Sequence, residues 1–181
     1  MIETMGDLDV EKAKEVYGIA NPHKPQEYEG KAALVTYGEI LQRANNCLGV
    51  CHYNTAYFDP NLPGLPELAE LYSAATGWET SEADLRRIMM KLVNLEKALN
   101  LRFTDFDRDD DLPTPRDLNE PIKTGNLAGW RIDKEKYNKM LDDYYDLHGW
   151  DRETSYPKRQ TLIDLGLEDV ADDLAKIGKV R

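Results

Sequence analysis

Apolar residues recur at helical spacing along most of this chain of 181 residues. The clearest pattern lies in 80–100, where apolar residues return every three or four positions. It predicts one amphipathic helix whose apolar stripe lies in the core. The stripe consists of Leu85, Ile88, Leu92, Leu95 and Leu99. Thr80 or Ser81 can cap the start of this helix, where Asp84 also suits the helix dipole.

Further segments show the same periodicity, and none alternates with the period of a strand. They are 10–17, 31–44, 66–75, 133–148, 157–166 and 168–177. In 31–44 and just beyond, the predicted buried face consists of Ala33, Tyr37, Ile40, Ala44 and Leu48. Gly77 and Gly149 suit left-handed helix ends, Asp133 suits a helix cap, and Pro157 suits a first turn. The pattern predicts an all-α, irregular multi-helix domain.

One region interrupts the helical pattern. Residues 101–131 are rich in Asp, Pro and Gly and have no helical period. A loop of this length is usually functional or packs against another element. We therefore expect one long ordered loop at about 101–131. We also expect an N-terminal arm or short helix over 1–28, followed by a helical domain over 29–181.

Composition and charge exclude several classes of protein. The chain has 23 basic and 34 acidic residues and a formal net charge of -11. That charge argues against nucleic acid and anionic membranes as partners. No apolar run is long enough for a membrane span, and the first residues do not form a signal peptide. Two cysteines exclude a disulfide framework, so a reducing, cytoplasmic setting is expected.

The long loop contains aspartates at alternating positions, as in the first half of an EF-hand. They are Asp105, Asp107, Asp109 and Asp111. The sixth position of that motif is Asp110 instead of glycine, and the twelfth is Arg116 instead of glutamate. We interpret the segment as a solvated turn whose carboxylates cap helices or pair with Arg108 and Arg116.

Cys47 and Cys51 lie four residues apart, and on a continuing helix they would share a face. Two thiolates can contribute to a soft-metal site but do not complete one, even with His52 added. Free, buried cysteines are the alternative. We find no P-loop, dinucleotide fingerprint or catalytic triad. We interpret the aromatic residues Tyr144, Tyr145 and Trp150 as core or interface.

The segment around the cysteines resembles a known motif. Its sequence is Asn46-Cys47-Leu48-Gly49-Val50-Cys51. It resembles Asp-x-x-Gly-Leu-Cys in the C-terminal domain of the tungsten-dependent aldehyde:ferredoxin oxidoreductase family. Other segments resemble that domain in the same order, namely Gly30-Lys31-Ala32, Leu95 to Asn100, Asp110-Asp111-Leu112-Pro113 with Arg116, Tyr144-Tyr145, Gly149-Trp150-Asp151, Pro157 and Leu165-Gly166-Leu167. The resemblance covers most of the chain from about Glu29.

The resemblance implies a cofactor role for 29–181. The family holds tungsten on two pterins (molybdopterin) beside a [4Fe-4S] cluster and passes electrons to ferredoxin. It implies that Cys51 is one cluster ligand and that Asn46, Gly49 and Val50 lie where the motif contacts a pterin. Asn46 replaces the family's Asp, so this acceptor has no charge and gains two donors. None of the histidines matches the context of the family's proposed catalytic His, so no catalytic residue is assigned.

We therefore expect the chain to be the C-terminal domain of such an oxidoreductase, which converts aldehydes to carboxylic acids. We expect its partners to be the remaining domains and ferredoxin or another iron–sulfur carrier. One thiolate cannot hold a four-iron cluster, so the isolated chain should be inactive and bind no cofactor stably. An exposed apolar patch is expected around Cys51. The alternatives are the tungsten subunit of a benzoyl-coenzyme A reductase and a cofactor-free helical interaction module.

Overall fold

The computed structural model describes residues 10–19, 24 and 26–181, and these contain helices and turns but no strand. The helices are α1 Val10–Tyr17, α2 Lys31–Leu48, α3 Leu65–Thr76, α4 Glu82–Phe103, α5 Pro115–Asn119, α6 Lys134–His148, α7 Arg159–Asp164 and α8 Glu168–Lys176. Short 3-10 helices cover His52–Asn54 and Arg108–Asp111. The predicted all-α, multi-helix fold is confirmed.

Local sequence signals set several helix ends. The Ser81 hydroxyl accepts a hydrogen bond from the Asp84 N–H at 3.1 Å, and the Asp84 carboxylate accepts one from the Ser81 N–H at 3.0 Å. This reciprocal pair is a capping box at the start of α4. The Asp133 carboxylate accepts two backbone N–H bonds at the start of α6. Gly77 and Gly149 end α3 and α6 with φ of 76° and 70°. The predicted caps are confirmed.

Helix α4 lies at the centre of the fold. Leu85, near its start, packs into a cluster formed with α1, α2 and α3. Val93, in its middle, packs against residues of α6 and against Trp150. Leu101, near its end, packs against α7 and α8. Met90 contacts all three clusters, so α4 connects them into one core.

The apolar stripe predicted to bury α4 lies mostly on its outer face. Leu85 is buried and Leu92 half-buried, but the exposed fractions of Ile88, Leu95 and Leu99 are 52%, 42% and 58%. The prediction that this stripe lies in the core is therefore wrong for these three residues. Because α2, α3 and α8 all pack on the other side of α4, the buried face there is a different one. It includes Met89, Val93, Asn94, Ala98 and Leu101.

Helix α2 is longer than predicted and continues four residues beyond Ala44 to Leu48. Its buried face contains Tyr37, Ile40 and Ala44, as predicted, and also Leu34 and Leu41. Leu48 is half-buried, whereas Ala33 is exposed, so the predicted place of Ala33 on the buried face is wrong.

The predicted long loop is ordered by short elements. Helix α4 continues to Phe103, and a 3-10 helix and α5 follow. The turn after α5 is closed by two backbone hydrogen bonds of 2.8 Å, from the Ile122 N–H to the Trp130 carbonyl and from the Gly129 N–H to the Ile122 carbonyl. Pro157 lies two residues before α7 instead of in its first turn.

The N-terminal region is described in part. Helix α1 confirms the predicted short helix, whereas 1–9, 20–23 and 25 lie outside the described residues. The boundary between 28 and 29 stays a prediction. Among the described helices, none has both the length and the apolar character needed to cross a membrane.

Candidate functional site

The predicted cofactor segment lies where α2 ends and the chain turns sharply. Gly49 has the left-handed conformation, with φ 70° and ψ 26°. The N–H groups of Gly49 and Val50 both donate to the Asn45 carbonyl, the latter at 2.9 Å. A Cβ placed on Gly49 would meet no atom within 4 Å. The left-handed backbone conformation therefore favours glycine at this position. The space where a side chain would lie, the outer side of Gly49, is open.

Cys51 follows this turn with its thiol exposed. Its backbone is extended, with φ -70° and ψ 129°, and lies outside α2. Cys47, in the last turn of α2, is also exposed. Because the helix ends at Leu48, the two cysteines do not lie on one continuing helix and do not share a helix face. The alternative that they are buried is wrong.

A complete metal site does not form around these thiols. Within the part of the chain that the structure describes, no three His, Cys, Asp or Glu side chains come together as metal ligands. A cluster bound at Cys51 would need its other ligands from outside these residues. The exposed thiol of Cys51, the exposed amide of Asn46 and the open side of Gly49 nevertheless suit an iron atom and a pterin edge in their chemistry.

The buried side-chain amide of Asn45 bonds to residues that follow the turn. The side chain of Asn45 is fully buried, and its Nδ2 donates to the Thr55 Oγ1 at 3.0 Å. The same nitrogen lies 3.1 Å from the His52 Nδ1, which must therefore accept. The Thr55 hydroxyl in turn donates to the His52 carbonyl at 2.9 Å. These bonds fix the residues that follow Cys51. Leu48 and Val50 pack against the first core cluster. Tyr53, two residues after Cys51, has an exposed aromatic ring.

The acidic loop serves the fold. The Asp107 carboxylate accepts from the Asp109 N–H at 2.8 Å and so caps the 3-10 helix. Asp111 accepts from the Tyr145 hydroxyl at 2.6 Å. The prediction that loop carboxylates cap a helix is confirmed. The arginines pair elsewhere, Arg108 with Asp142 and Arg116 with Glu120.

The buried His148 of α6 contacts the half-buried Glu39 of α2 and so connects the two helices. The His148 Nδ1 lies 2.8 Å from the Tyr144 carbonyl, which can only accept, so this nitrogen carries hydrogen. The His148 Nε2 lies 3.0 Å from the Glu39 Oε2, within hydrogen-bond distance. The Tyr144 hydroxyl also donates to Glu39, at 3.0 Å. Burial, with Glu39 close by, raises the pKa of Tyr144. Sequence reasoning missed Glu39, which no motif singles out.

Two of the family-like segments meet between α4 and α6 in a cluster that we call the joint, to which they contribute Lys97 and Trp150. The joint consists of Asn94, Lys97, His148, Trp150 and Ser155. The Trp150 Nε1 donates to the Asn94 Oδ1 at 2.8 Å, and Asn94 donates to the His148 carbonyl at 3.4 Å. The Lys97 ammonium lies 4.7 Å from the Trp150 ring centre and donates to the Ser155 hydroxyl at 3.1 Å. Burial lowers the pKa of Lys97. The prediction that Trp150 belongs to the core is confirmed.

The linings of two cavities include charged side chains. One of about 230 Å³ lies beside the joint and is lined by Glu39, Arg43, Glu96 and Lys97. Arg43 and Glu96 form an ion pair across it at 2.6 Å. A larger cavity of about 400 Å³ lies beside α1 and α3, and no residue of 46–51 lines it.

Comparison with known proteins finds relatives that match most of this chain. The model of the family described as aldehyde ferredoxin oxidoreductase, domains 2 & 3, matches residues 3–167. A tungsten-containing aldehyde ferredoxin oxidoreductase of Pyrococcus furiosus is 34% identical over 142 residues, which are 78% of this chain and 22% of that protein. A protein of the same organism named aliphatic sulfonate oxidoreductase, WOR-like subunit, is 27% identical over 148 residues, with the same coverage.

A solved structure has the same fold. The active site complex BamBC of benzoyl coenzyme A reductase, in complex with 1,5 dienoyl-CoA, matches with a TM-score of 0.67 and 24% identity. The match covers 87% of this chain and 22% of that one. The chain thus spans about a fifth of the length of the proteins that it matches.

Proposed function

Because the chain belongs to the aldehyde ferredoxin oxidoreductase family, we propose that it forms the C-terminal cofactor domain of a tungsten–pterin, iron–sulfur oxidoreductase. When bound, the metal and cluster would accept the two electrons that are released when an aldehyde and water become a carboxylic acid and two protons, and would then pass these electrons to ferredoxin. The remaining domains of that enzyme are the expected partners, and a cytoplasmic location stays part of the proposal.

Cys51 carries the proposal. Its thiol is exposed just after a left-handed glycine and is supported by the bonds of Asn45 and Thr55 beneath it. A thiolate held in this way can ligate one iron while the other irons take ligands from another domain. The hydrogen bonds of Asn45 and Thr55 hold the backbone beside Cys51 in place. Little ordering of this segment is therefore needed when the cluster binds.

Asn46, Gly49 and Val50 are the proposed pterin contacts. Asn46 is exposed in the last turn of α2 and offers one amide oxygen and two N–H donors. The open side of Gly49 allows a ring edge to approach the backbone closely. Because the amide of Asn46 is uncharged, its hydrogen bond to a pterin N–H should be weaker than that of a carboxylate.

A comparison of the two cysteines tests this proposal. In the longer polypeptide, Cys51→Ala should lose the [4Fe-4S] spectroscopic signal and most of the four irons, because one ligand is missing. Cys47→Ala, the matched control from the same exposed segment, should keep both. Iron content and the electron paramagnetic resonance of the reduced protein measure the difference. An intact cluster in Cys51→Ala contradicts the proposed ligand and favours a cofactor-free interaction module.

The isolated chain gives a second test. After treatment with iron and sulfide under reducing conditions, it should hold no stoichiometric four-iron cluster and oxidise no aldehyde, because a single thiolate is available for the cluster. Upstream coding sequence with a Cys-x-x-Cys-x-x-x-Cys segment in frame would supply the missing ligands. A stable four-iron cluster on the isolated chain would refute its proposed inactivity.

The second candidate is the tungsten subunit of a benzoyl-coenzyme A reductase. The fold shared with that enzyme's active site complex favours it. The proposed residues concern the cofactors and would serve either substrate. Assays of the longer polypeptide with an aldehyde and with an aromatic coenzyme A thioester separate the two candidates.

A further inference from the structure

The outer face of α4 carries an apolar stripe that the described residues leave largely exposed. We call it the outer stripe, and it consists of Ile88, Leu92, Leu95, Leu99 and Phe103. The exposed fraction rises to 76% at Phe103, the last residue of α4. By helical period this face lies opposite the buried residues Val93 and Leu101. It is therefore a surface left over after the core has formed.

The spacing of the outer stripe points to a helix as its partner. Ile88, Leu92, Leu95 and Leu99 follow the alternating four- and three-residue steps of a heptad. Apolar residues at this spacing pack into the gaps of a second helix that has a matching stripe. A strand or an extended loop would not match four successive positions along one face of α4.

Charge along the stripe restricts the partner further. Arg87 and Lys91 lie along one flank, together with Arg102, which is paired with Asp173 of α8 at 3.2 Å. Arg87 and Lys91 donate to the backbone carbonyls of α7 Asp164 and of Gly166, which carry no net charge. On the other flank Glu96 is already neutralised by Arg43. Although the chain as a whole has a net charge of -11, Arg87 and Lys91 thus make one flank of the stripe basic. A partner helix with acidic flanks would complement it, whereas the like-charged flanks of a second α4 would repel.

We propose that the outer stripe docks an amphipathic helix with acidic flanks that belongs to the remaining part of the oxidoreductase polypeptide. The inference rests on the proposed function, under which about four-fifths of the relatives' length lies outside the match. An intramolecular partner also explains why an apolar row stays outside a folded unit, because it is covered in the longer chain. The docking surface uses none of the residues 46–51.

Two synthetic helical peptides test the chemistry of the surface. Both carry leucine at heptad positions, one with glutamate and the other with lysine on its flanks. The isolated chain should bind the glutamate peptide about tenfold more tightly at low salt, because two or three exposed ion pairs form, and the difference should shrink at high salt. Fluorescence anisotropy of the labelled peptides measures it. Equal affinities, or no binding, would overturn the proposal.

Matched variants locate the surface. Leu95→Asp with Leu99→Asp should abolish peptide binding while circular dichroism stays unchanged, because both side chains are exposed and lie outside the core. Leu71→Asp, a change of another exposed leucine on α3, should leave binding unchanged. If Leu71→Asp abolishes binding equally, the docking surface is elsewhere and the proposal fails.

The occupant is tested by thiol labelling. Leu95→Cys, made together with Cys47→Ser, should be alkylated quickly at position 95 in the isolated chain and at least tenfold more slowly there in the longer polypeptide. Peptide mass spectrometry reads position 95 separately from the exposed thiol of Cys51. Equal rates would contradict docking of the remaining polypeptide. Sedimentation that shows a dimer dissociated by Leu95→Asp would assign the surface to a second copy instead. Loss of the cluster in Cys51→Ala is read separately, so failure of the docking surface and failure of the cofactor proposal are distinguishable.

Discussion

The joint includes residues of two segments that resemble the family, and the end of α2 includes another such segment, but the two regions differ in where their polar groups find partners. In the joint, Trp150 donates to Asn94, and Lys97 donates to Ser155, all within this chain. At the end of α2, the side chains of Asn46 and Cys51 are exposed, and the outer side of Gly49 is open. The comparison separates residues that hold the fold from residues available to a ligand, although the sequence resemblance treats them alike.

Helix α2 shows the same contrast within one element. Its middle is fixed by burial of Ile40 and Leu41 and by the hydrogen bond between Glu39 and His148. Its last turn carries exposed Asn46 and Cys47. A rigid helix body that presents an exposed end is a suitable support for a ligand-binding turn.

The largest expected effect comes from breaking the joint. Trp150→Ala should lower the free energy of unfolding by about 3–5 kcal/mol, because it leaves a cavity in the core and removes the donor to Asn94. Urea or guanidinium unfolding of the isolated chain measures the change. Trp78→Ala is the matched control, because its exposed fraction is 71%. It should change the free energy by no more than about 0.5 kcal/mol. Similar losses for both tryptophans would show that the joint does not stabilise the fold.

A pH titration tests the buried side of α2. Burial, which outweighs the other influences, raises the pKa of Tyr37 from 10.0 to about 12. The unfolded chain therefore releases this proton first, so stability is fully present below pH 10 and falls as the pH rises toward about 12. The contribution of Tyr37 to this loss is about 2–3 kcal/mol.

Tyr37→Phe should reduce the alkaline loss of stability by that amount, which unfolding curves at successive pH values measure. Tyr53→Phe, a change of an exposed tyrosine, should leave the alkaline profile unchanged. The prediction fails if Tyr37→Phe and the parent chain lose stability equally over this range.

A smaller effect sharpens the comparison within α2. Gly49→Ala should destabilise the chain by about 1 kcal/mol, because a side chain is strained at φ 70° although the space is open. Gly38→Ala, in the interior of the same helix, should stabilise it by about 0.5–1 kcal/mol, because a Cβ there meets the Tyr57 ring at an ordinary 3.9 Å. Unfolding midpoints of the two variants should move in opposite directions. Shifts of the same sign would show that the end of α2 is not held in the left-handed conformation.

The helix ends were predictable because they depend on residues close in the chain. Ser81 with Asp84, Asp133, and the glycines at 77 and 149 act through hydrogen bonds and backbone angles within a few residues. The candidate turn at Gly49 was located by resemblance to a motif. Glu39 could not be identified as the partner of His148, because 109 residues separate them and no pattern connects them.

The sequence alone determined that this chain is helical, where most of its helices begin and end, and which family it resembles, since caps, glycine turns and motifs are local. Only the tertiary structure decided which face of α4 is buried. That helix carries one row of large apolar residues and another that includes Asn94 and Ala98. The second row is buried because α2, α3 and α8 surround it. There the small side chain of Ala98 allows close packing, and the Asn94 amide forms hydrogen bonds with His148 and Trp150.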